Sequence, residues 1–576
     1  MTGFRGWCDA RRTGSAAGGQ VHPIVATASA RGGGSGTSFA TQGSCTVALD
    51  GELYGLDGLR RQLRIDAASP AAVVLAGWRR WSTECLPRLD GEFALALLDG
   101  DELLLYRDPT GLRSLYWSAT GPGALAFATR LHALMELPQV GRRVARRSLH
   151  EYLRFGDIAP PHTWFEGVHA LEAGQVLRCT AAGVAVQPPP ASDAPQPPTQ
   201  FDAAVDEVEA ALARSVRQRL DGARRPAAFL SSGVDSSLIC ALAARERPDL
   251  QAITVGVDGA QDESPAARRI AQHLGVRHDV LRFSGTELAK AFERLATSMD
   301  QPMADPATPA SVLAFDHCRE HHDVVLDGTG ADEVVGATPP RHVRLAVQYA
   351  SLLPQAARRA IAGAVRAVPA LAGYAAIVDF EHPADTMIRW QGFTRREIEA
   401  LCSDDVSFAH TTFYRTFARF PRPAHFERYS ALVDAMPCDR LTQAVAATGA
   451  TVRYPFHGLE ASALVRGLRV DFRDAPGAPK RILRAVLARH VPQPLWERPK
   501  HGFNVPLAGM LRADGHRLVR THLDPDRWRP RALLSVQAMA DWARRYVAGD
   551  ERLAFRVWSL IVLDAWLSAN VDDAAP

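Results

Sequence analysis

The sequence predicts an α/β protein in two parts: a layered, β-rich domain over residues 1–185, then an α/β domain with a parallel sheet and a helical extension over residues 201–576. Three observations carry this. Val186 to Gln200 reads VQPPPASDAPQPPTQ, a Pro-rich stretch with little to bury, which is the composition of a semi-rigid linker. Before it, short β-rich runs recur between turn signals. After it, strands alternate with helical patterns, and that alternation needs crossover connections and a parallel sheet.

In the first part the runs are Thr46–Leu49 before Asp50-Gly51, Phe93–Leu98 before Asp99-Gly100, and Leu103–Tyr106 before Asp108-Pro109, with helices near 56–64 and 70–82. After the linker, Val205, Val208, Ala211, Leu212, Val216 and Leu220 fall at helical spacing and predict a helix over 202–220. Ala227–Leu230 reads as a buried strand, followed by a Ser/Gly turn and a helix from about 236. Ala252–Val257 is a second strand, 264–274 a helix, and Val324–Leu326 a third strand ending at Asp327-Gly328. Beyond about 340 the pattern is mostly helical, with 340–430 expected to roof an acceptor pocket.

The chain has 576 residues, 47% hydrophobic and 22% charged, which is globular rather than disordered. A net charge of +3 offers no electrostatic case for binding nucleic acid or a membrane surface. The apolar run Trp558–Leu567 contains Asp564 and falls short of the roughly 18 residues a span needs. No signal-peptide pattern opens the chain. The eight cysteines are scattered with no CxxC, so reduced thiols and a cytoplasmic location are expected. Only three of the 66 basic residues are lysines: Lys290, Lys480 and Lys500. Arg replaces Lys freely on a solvated surface, but not where a compact ammonium is needed, so retained lysines are candidates for a task. Lys290 lies in a helical, polar context and reads as a surface residue.

The sharpest motif is Phe229-Leu230-Ser231-Ser232-Gly233-Val234-Asp235-Ser236-Ser237. A buried strand runs into small residues and then a helix, which lets backbone N–H groups and a helix N-terminus approach an anion. Asp235 is out of place beside phosphate unless Mg²⁺ lies between them. There is no GxxxxGK[ST], so this is no Walker loop. A plain helix cap would need one such residue rather than five.

This stretch resembles the SGGxDS pyrophosphate loop of the asparagine-synthetase type of ATP pyrophosphatases, with Ser232 in place of the second Gly. The resemblance continues through Ala252–Glu263, Asp300–Pro309 (DQPMADPATP), Asp327–Gly336 (DGTGADEVVG), Val452–Phe456, Pro479–Arg484 and Glu497–Pro506 (ERPKHGFNVP), in the family's order. It implies an adenine-nucleotide-α-hydrolase-like sheet and ATP-driven activation of a carboxylate, giving an acyl-adenylate that an amine converts to an amide. It implies ATP and Mg²⁺ as cofactors. Leu230, Ser231, Ser232, Gly233, Asp235, Ser236, Val255 and Gly328 would hold the nucleotide, and Asp235 and Asp332 the metal. Lys480 would hold pyrophosphate, and Lys500 would stabilise the adenylation and amide-forming transition states.

Residues 1–185 are similar to the class II glutamine amidotransferase domain, an N-terminal-nucleophile (Ntn) αββα fold. The similarity lies in Val47–Gly55 (VALDGELYG), Leu89–Asp99, Arg107–Tyr116, Ala126–Leu134 and Tyr152–Gly174. The domain looks degenerate. Thr2 stands where the family has its nucleophilic Cys, and Asp50 replaces the oxyanion-hole Asn, where a carboxylate would repel an oxyanion. No counterpart of the RGPD and HRRL blocks occurs between residues 11 and 46. Thr2 is itself a possible N-terminal nucleophile, but the three losses together predict a scaffold. A synthetase without ammonia supply takes its amine elsewhere, as do lasso-peptide cyclases and β-lactam and carbapenam synthetases. Small Thr329 in the SGxGxDE slot leaves room for a bulky acceptor. The leading expectation is therefore lasso-type macrolactam cyclisation of a peptide, assisted by a precursor-peptide-binding protein and a leader peptidase. The alternatives are an asparagine synthetase using ammonia or glutamine, and a small-molecule cyclase of the β-lactam kind.

Overall fold

The structure, a computed structural model, describes residues 2–9, 22–28, 36–67, 69–188, 190, 196–260, 262–368, 375–387, 392–420, 425–435, 439–497 and 505–571. The first domain contributes β1 (Thr2–Asp9), β2 (His22–Ala28), β3 (Thr37–Gln42), β4 (Cys45–Tyr54), β5 (Asp90–Asp99), β6 (Glu102–Arg107), β7 (Tyr116–Gly121), β8 (Ala124–Ala128), β9 (Val168–Ala170), β10 (Val176–Thr180) and β11 (Gly183–Gln187). They form two antiparallel sheets, ordered β2-β1-β8-β7-β9 and β11-β10-β6-β5-β4-β3. Period-two alternation divides their side chains. Ala48, Ala94 and Ala96 face Phe4, Leu125 and Phe127 between the sheets. Val47, Leu49, Leu95 and Leu97 face Val74 and Trp78 of the helix Pro70–Trp81 outside. Helices cover the other sheet as well, so the layers run α, β, β, α.

Two sequence expectations shift here. Asp50-Gly51 is no turn: β4 continues to Tyr54. Gly51 (φ +121) and Gly91 (φ +158) sit on neighbouring strands, where a Cβ on Gly51 would lie 2.1 Å from the Glu92 carbonyl oxygen and one on Gly91 2.1 Å from that of Glu52. Glycine serves close strand approach here rather than chain reversal. The β10–β11 ladder also carries the first domain to Gln187, into the Pro-rich stretch.

The second domain is built on β12 (Pro226–Phe229), β13 (Gln251–Val257), β14 (Arg277–Phe283), β15 (Val324–Leu326) and β16 (Val452–Arg453), all parallel, in the order β14-β13-β12-β15-β16. Chain direction across the sheet reverses between β12 and β15. In open parallel sheets the crevice beyond the strand ends at such a reversal is where ligands bind. Both faces are covered. Ala228, Leu230, Ala252, Val324 and Leu326 pack towards the helices Phe201–Leu220, Val234–Glu246 and Arg481–Ala488. Ala227, Ile253 and Val325 pack towards Cys318 of the helix Thr308–His321.

The domains share one core. Tyr116, Leu131, Tyr152 and Trp164 of the first pack in a single cluster with Phe292, Trp558 and Trp566 of the second. The apolar helix Ala554–Asn570 lies inside this core, and its fully buried Asp564 is held by His522 (2.8 Å) and Arg531 (2.6 Å). No helix among the described residues is long and apolar enough to cross a membrane. A polar seam joins the domains elsewhere. The fully buried Arg219 guanidinium lies 4.2 Å over Tyr54 and reaches Asp90 (3.3 Å) and Glu92 (3.2 Å). Arg453 grips Glu52 with two nitrogens at 2.7 and 3.1 Å, a bidentate geometry that Lys cannot reproduce. Asp300 takes Arg130 (2.7 Å) and His132 (3.1 Å).

Candidate active site

The site forms where β12 and β15 end. Leu230 N–H still donates to Ile253 O (2.8 Å), and Leu230 O accepts from the Thr254 hydroxyl (2.6 Å), so the chain leaves the sheet only after Leu230. The serines then tie the turn to itself. Ser231 N–H donates to Ser236 Oγ (3.0 Å), the two hydroxyls are 2.8 Å apart, and Gly233 N–H donates to Ser231 Oγ (3.0 Å). The first intrahelical bond is Ser237 N–H to Gly233 O (3.2 Å), so the N–H groups just before it have no partner within the helix and contribute to its partial positive charge.

The β15 loop is pressed against this turn. A Cβ on Gly328 would lie 2.9 Å from Ser236 N and 3.1 Å from Asp235 C, so the two backbones touch. Asp327 then caps its own turn, accepting Thr329 N–H and Thr329 hydroxyl at 2.8 Å each. Gly330 (φ +101) leaves no room for a side chain above His457, whose Nε2 would be 2.6 Å from a Cβ. Burial, then Arg219 and Arg466, drives that imidazole down to about 3, so it is neutral. The helix Ala331–Val335 follows and carries Asp332 in its first turn.

Lys480 joins the two loops. Its Nζ lies 2.5 Å from Asp235 Oδ2 and 2.9 Å from Asp332 Oδ1. The side chain is 11% exposed, against 26% for Asp235 and 43% for Asp332. Burial pulls the ammonium down, but the two carboxylates outweigh it and hold its pKa above the ordinary lysine value. Lys480 also stands at φ 56°, ψ 39°, left-handed backbone that costs a non-glycine residue. The surrounding contacts hold it there, at the start of the helix Arg481–Ala488. Glu333 is pushed up by burial, then by Asp332 and Asp434.

A cavity of about 510 Å³ opens beside the turn, lined by Leu230, Ser231, Ser236, Val255, Asp327 and Thr329. Phe229, Ala310, Ala314 and Phe315 supply apolar wall, and Glu263 and Arg440 polar edges. The volume suits a nucleoside-sized ligand, largely apolar with a few convergent polar groups. A second cavity, about 680 Å³, lies between the domains and reaches Glu333. Among the described residues, the segment 340–430 lines this second space, through Thr412, Thr416, Arg419 and Phe420, rather than the first.

The structure thus brings together Leu230, Ser231, Asp235, Ser236, Gly328, Asp332 and Lys480, with Val255 on the cavity wall. Ser232 and Gly233 sit on the turn. Lys500 lies outside the described residues, and Lys290 is exposed on the helix Gly285–Ala296. Arg440, 3.6 Å from Asp305 of the DQPMADPATP loop, was not legible, because nothing in its local sequence links it to a strand end. In the first domain Thr2 begins β1 opposite Ala28. Asp50 is buried within β4. Burial raises its pKa, countered by Arg113, a hydrogen bond from Thr129, and Arg130.

Known proteins resemble this chain along most of its length. A family model described as asparagine synthase matches residues 207–568, and one described as a glutamine amidotransferase domain matches residues 22–188. A putative glutamine-hydrolyzing asparagine synthetase of Mycobacterium tuberculosis is 28% identical over 556 residues, covering 91% of this chain and 84% of its own. Asparagine synthetase 1 of Bacillus subtilis is 22% identical, covering 91% and 86%. A carboxyethyl-arginine beta-lactam-synthase of Streptomyces clavuligerus is 29% identical over 303 residues, covering 50% of this chain and 55% of its own.

Proposed function

The chain belongs to the asparagine synthase family of ATP-dependent carbon–nitrogen ligases, and from that premise we propose that it joins a carboxylate to an amine of the same substrate without drawing ammonia from glutamine. The substrate class we assign is a peptide whose side-chain carboxylate closes on its own N-terminus, the lasso-type macrolactam. A precursor-peptide-binding protein and a leader peptidase would supply it. The observation that carries the reading is Asp50. A buried carboxylate sits in β4 opposite Ala94 of β5, at the position that by resemblance carries the oxyanion-hole Asn, where an oxyanion would need a neutral donor. Thr329 is small and borders the nucleotide cavity, and its size, by resemblance to the family's loop, leaves room for a bulky acceptor.

The geometry supports the following roles. The Ser231–Ser236 turn and the helix end behind it receive the pyrophosphate portion of ATP, with the adenine side towards Val255. Two carboxylates meeting on one ammonium form a donor set that suits Mg²⁺, so Asp235 and Asp332 would hold it. Mg²⁺, when bound, neutralises charge on the departing pyrophosphate. Lys480 then turns its ammonium to the phosphate oxygens. The substrate carboxylate oxygen bonds to the α-phosphorus as the bond to the pyrophosphate oxygen breaks. The amine next attacks the acyl carbon, AMP leaves, and the amine proton passes to solvent. Lys500, by family resemblance, steadies both transition states.

A second reading, asparagine synthesis from ammonia or glutamine, is favoured by the similarity that spans 91% of the chain. AMP release separates the two. We expect AMP with the cognate peptide, a product lighter by one water, and no effect of Thr2→Ala. AMP release with aspartate plus glutamine, abolished by Thr2→Ala, would overturn the proposal in favour of asparagine synthesis.

A further inference from the structure

We propose that Glu151, His162 and His410 form a Zn²⁺ site that fastens the end of the first domain to the helical segment near residue 410. Glu151 lies on the helix Arg146–Phe155 and is fully buried. One carboxylate oxygen accepts from Ala159 N–H (3.2 Å), and the other lies 2.8 Å from His162 Nδ1. Among the described residues no lysine or arginine is within ion-pair distance of it. A buried carboxylate is costly unless positive charge compensates it, and the basic group within ion-pair distance of it among the described residues is His162, charged only when protonated.

His410 supplies the third arm. One of its ring nitrogens, the Glu151 carboxylate and a His162 ring nitrogen all lie within 4.8 Å of one another. His410 Nε2 is buried and has no hydrogen-bond partner among the described residues. Two imidazoles and a carboxylate are a ligand set that Zn²⁺ takes tetrahedrally with one water. His162 is 24% exposed, which leaves that water a way in. On binding, the ion would take the place of the hydrogen between His162 Nδ1 and Glu151, and the ring would be neutral with its one proton on Nε2, any second proton passing to solvent.

The neighbouring cluster of His150, Cys402 and Asp404 makes a useful contrast. There Arg146 stands 2.8 Å from Asp404 and already supplies the positive charge. The oxygen-only pair Asp235 and Asp332 suits a hard cation rather than Zn²⁺. The proposed site is structural, since none of its residues lines the nucleotide cavity. Beside it Thr412 Oγ1 donates to Pro160 O (2.7 Å), and both residues line the inter-domain cavity that reaches Glu333. Zn²⁺ would therefore stiffen one wall of that cavity.

The test is the zinc content of the full chain, purified without a polyhistidine tag in chelator-free buffer. We expect close to one Zn²⁺ per chain, falling by about tenfold or more in Glu151→Gln and in His410→Gln. Cys402→Ser and Asp332→Asn should keep their zinc. Should the Glu151 and His410 variants fail to fold, wild-type protein stripped by chelator is titrated with Co²⁺. One equivalent should raise the visible absorption of tetrahedral cobalt. Zinc retained by His410→Gln, zinc lost only with Cys402→Ser or Asp332→Asn, or wild-type protein that holds no zinc and stays silent with Co²⁺ would each overturn the site.

Discussion

Replacing Lys480 with Met tests the centre of the nucleotide site. The change keeps length and apolar stem but removes the one ammonium that bridges Asp235 and Asp332. Both acceptor oxygens touch a single nitrogen, so they lie no more than about 5.4 Å apart, where two unit charges repel by roughly 3 kcal/mol or more at an effective dielectric of about 20. Asp235 is 26% and Asp332 43% exposed, and solvent screens part of that repulsion. A loss of about 1–2 kcal/mol is expected, or a Tm lower by roughly 1 °C for a chain of this length. Mg²⁺ should restore it, because the cation enters the space the ammonium held. Wild-type protein, where the ammonium already offsets one of the two charges, should gain less from the same Mg²⁺. The assay is thermal unfolding with and without millimolar Mg²⁺, read beside AMP release, which the variant should lose. Equal Mg²⁺ increments in the two proteins, or wild-type turnover in the variant, would refute the bridging role.

Gly328→Ala places a methyl group 2.9 Å from Ser236 N, where only backbone could yield. ATP affinity in magnesium buffer should fall about tenfold, about 1.4 kcal/mol, by calorimetry, and an unchanged Kd would show that the loops need not touch. Asp564→Asn leaves Arg531 (8% exposed) and His522 (10% exposed) without their buried anion. Urea unfolding should show a loss of about 3 kcal/mol, and less than about 1 would contradict the burial argument. Burial raises Asp300, but Arg130, then His132, outweigh it and hold it below the ordinary aspartate value. Its contribution is therefore complete above the unfolded value of about 3.9 and disappears as pH falls through the lower folded one. Asp300→Asn should be less stable near about pH 6, with a deficit that shrinks on acidification; a constant deficit would argue against it.

Local chemistry made much of this legible. Ser231 to Ser237 announces itself because strand, small turn and helix are contiguous. The scarcity of lysine singles out Lys480 because arginine replaced it almost everywhere else. Long-range pairings left no such trace. Arg219 with Glu92, Arg453 with Glu52, and Glu151 with His410 join residues far apart in the chain. Strand β14 escaped because its residues, Arg277, His278 and Asp279 among them, are mostly polar at the sheet edge. Asp50-Gly51 misled because a turn dipeptide also serves two strands that nearly touch.

The shared core has a bearing on how such a chain can change over generations. Tyr152 donates to Ser559 O (2.7 Å), and Trp164 stands against Trp566 (5.1 Å). Deleting the leading 185 residues would strip greasy surface bare and strand a charged guanidinium at Arg219. Whatever glutamine chemistry that portion has or lacks, it could not be discarded without ruining the remainder. Its persistence therefore reflects mechanical indebtedness as readily as selection for activity, and halves made separately should precipitate.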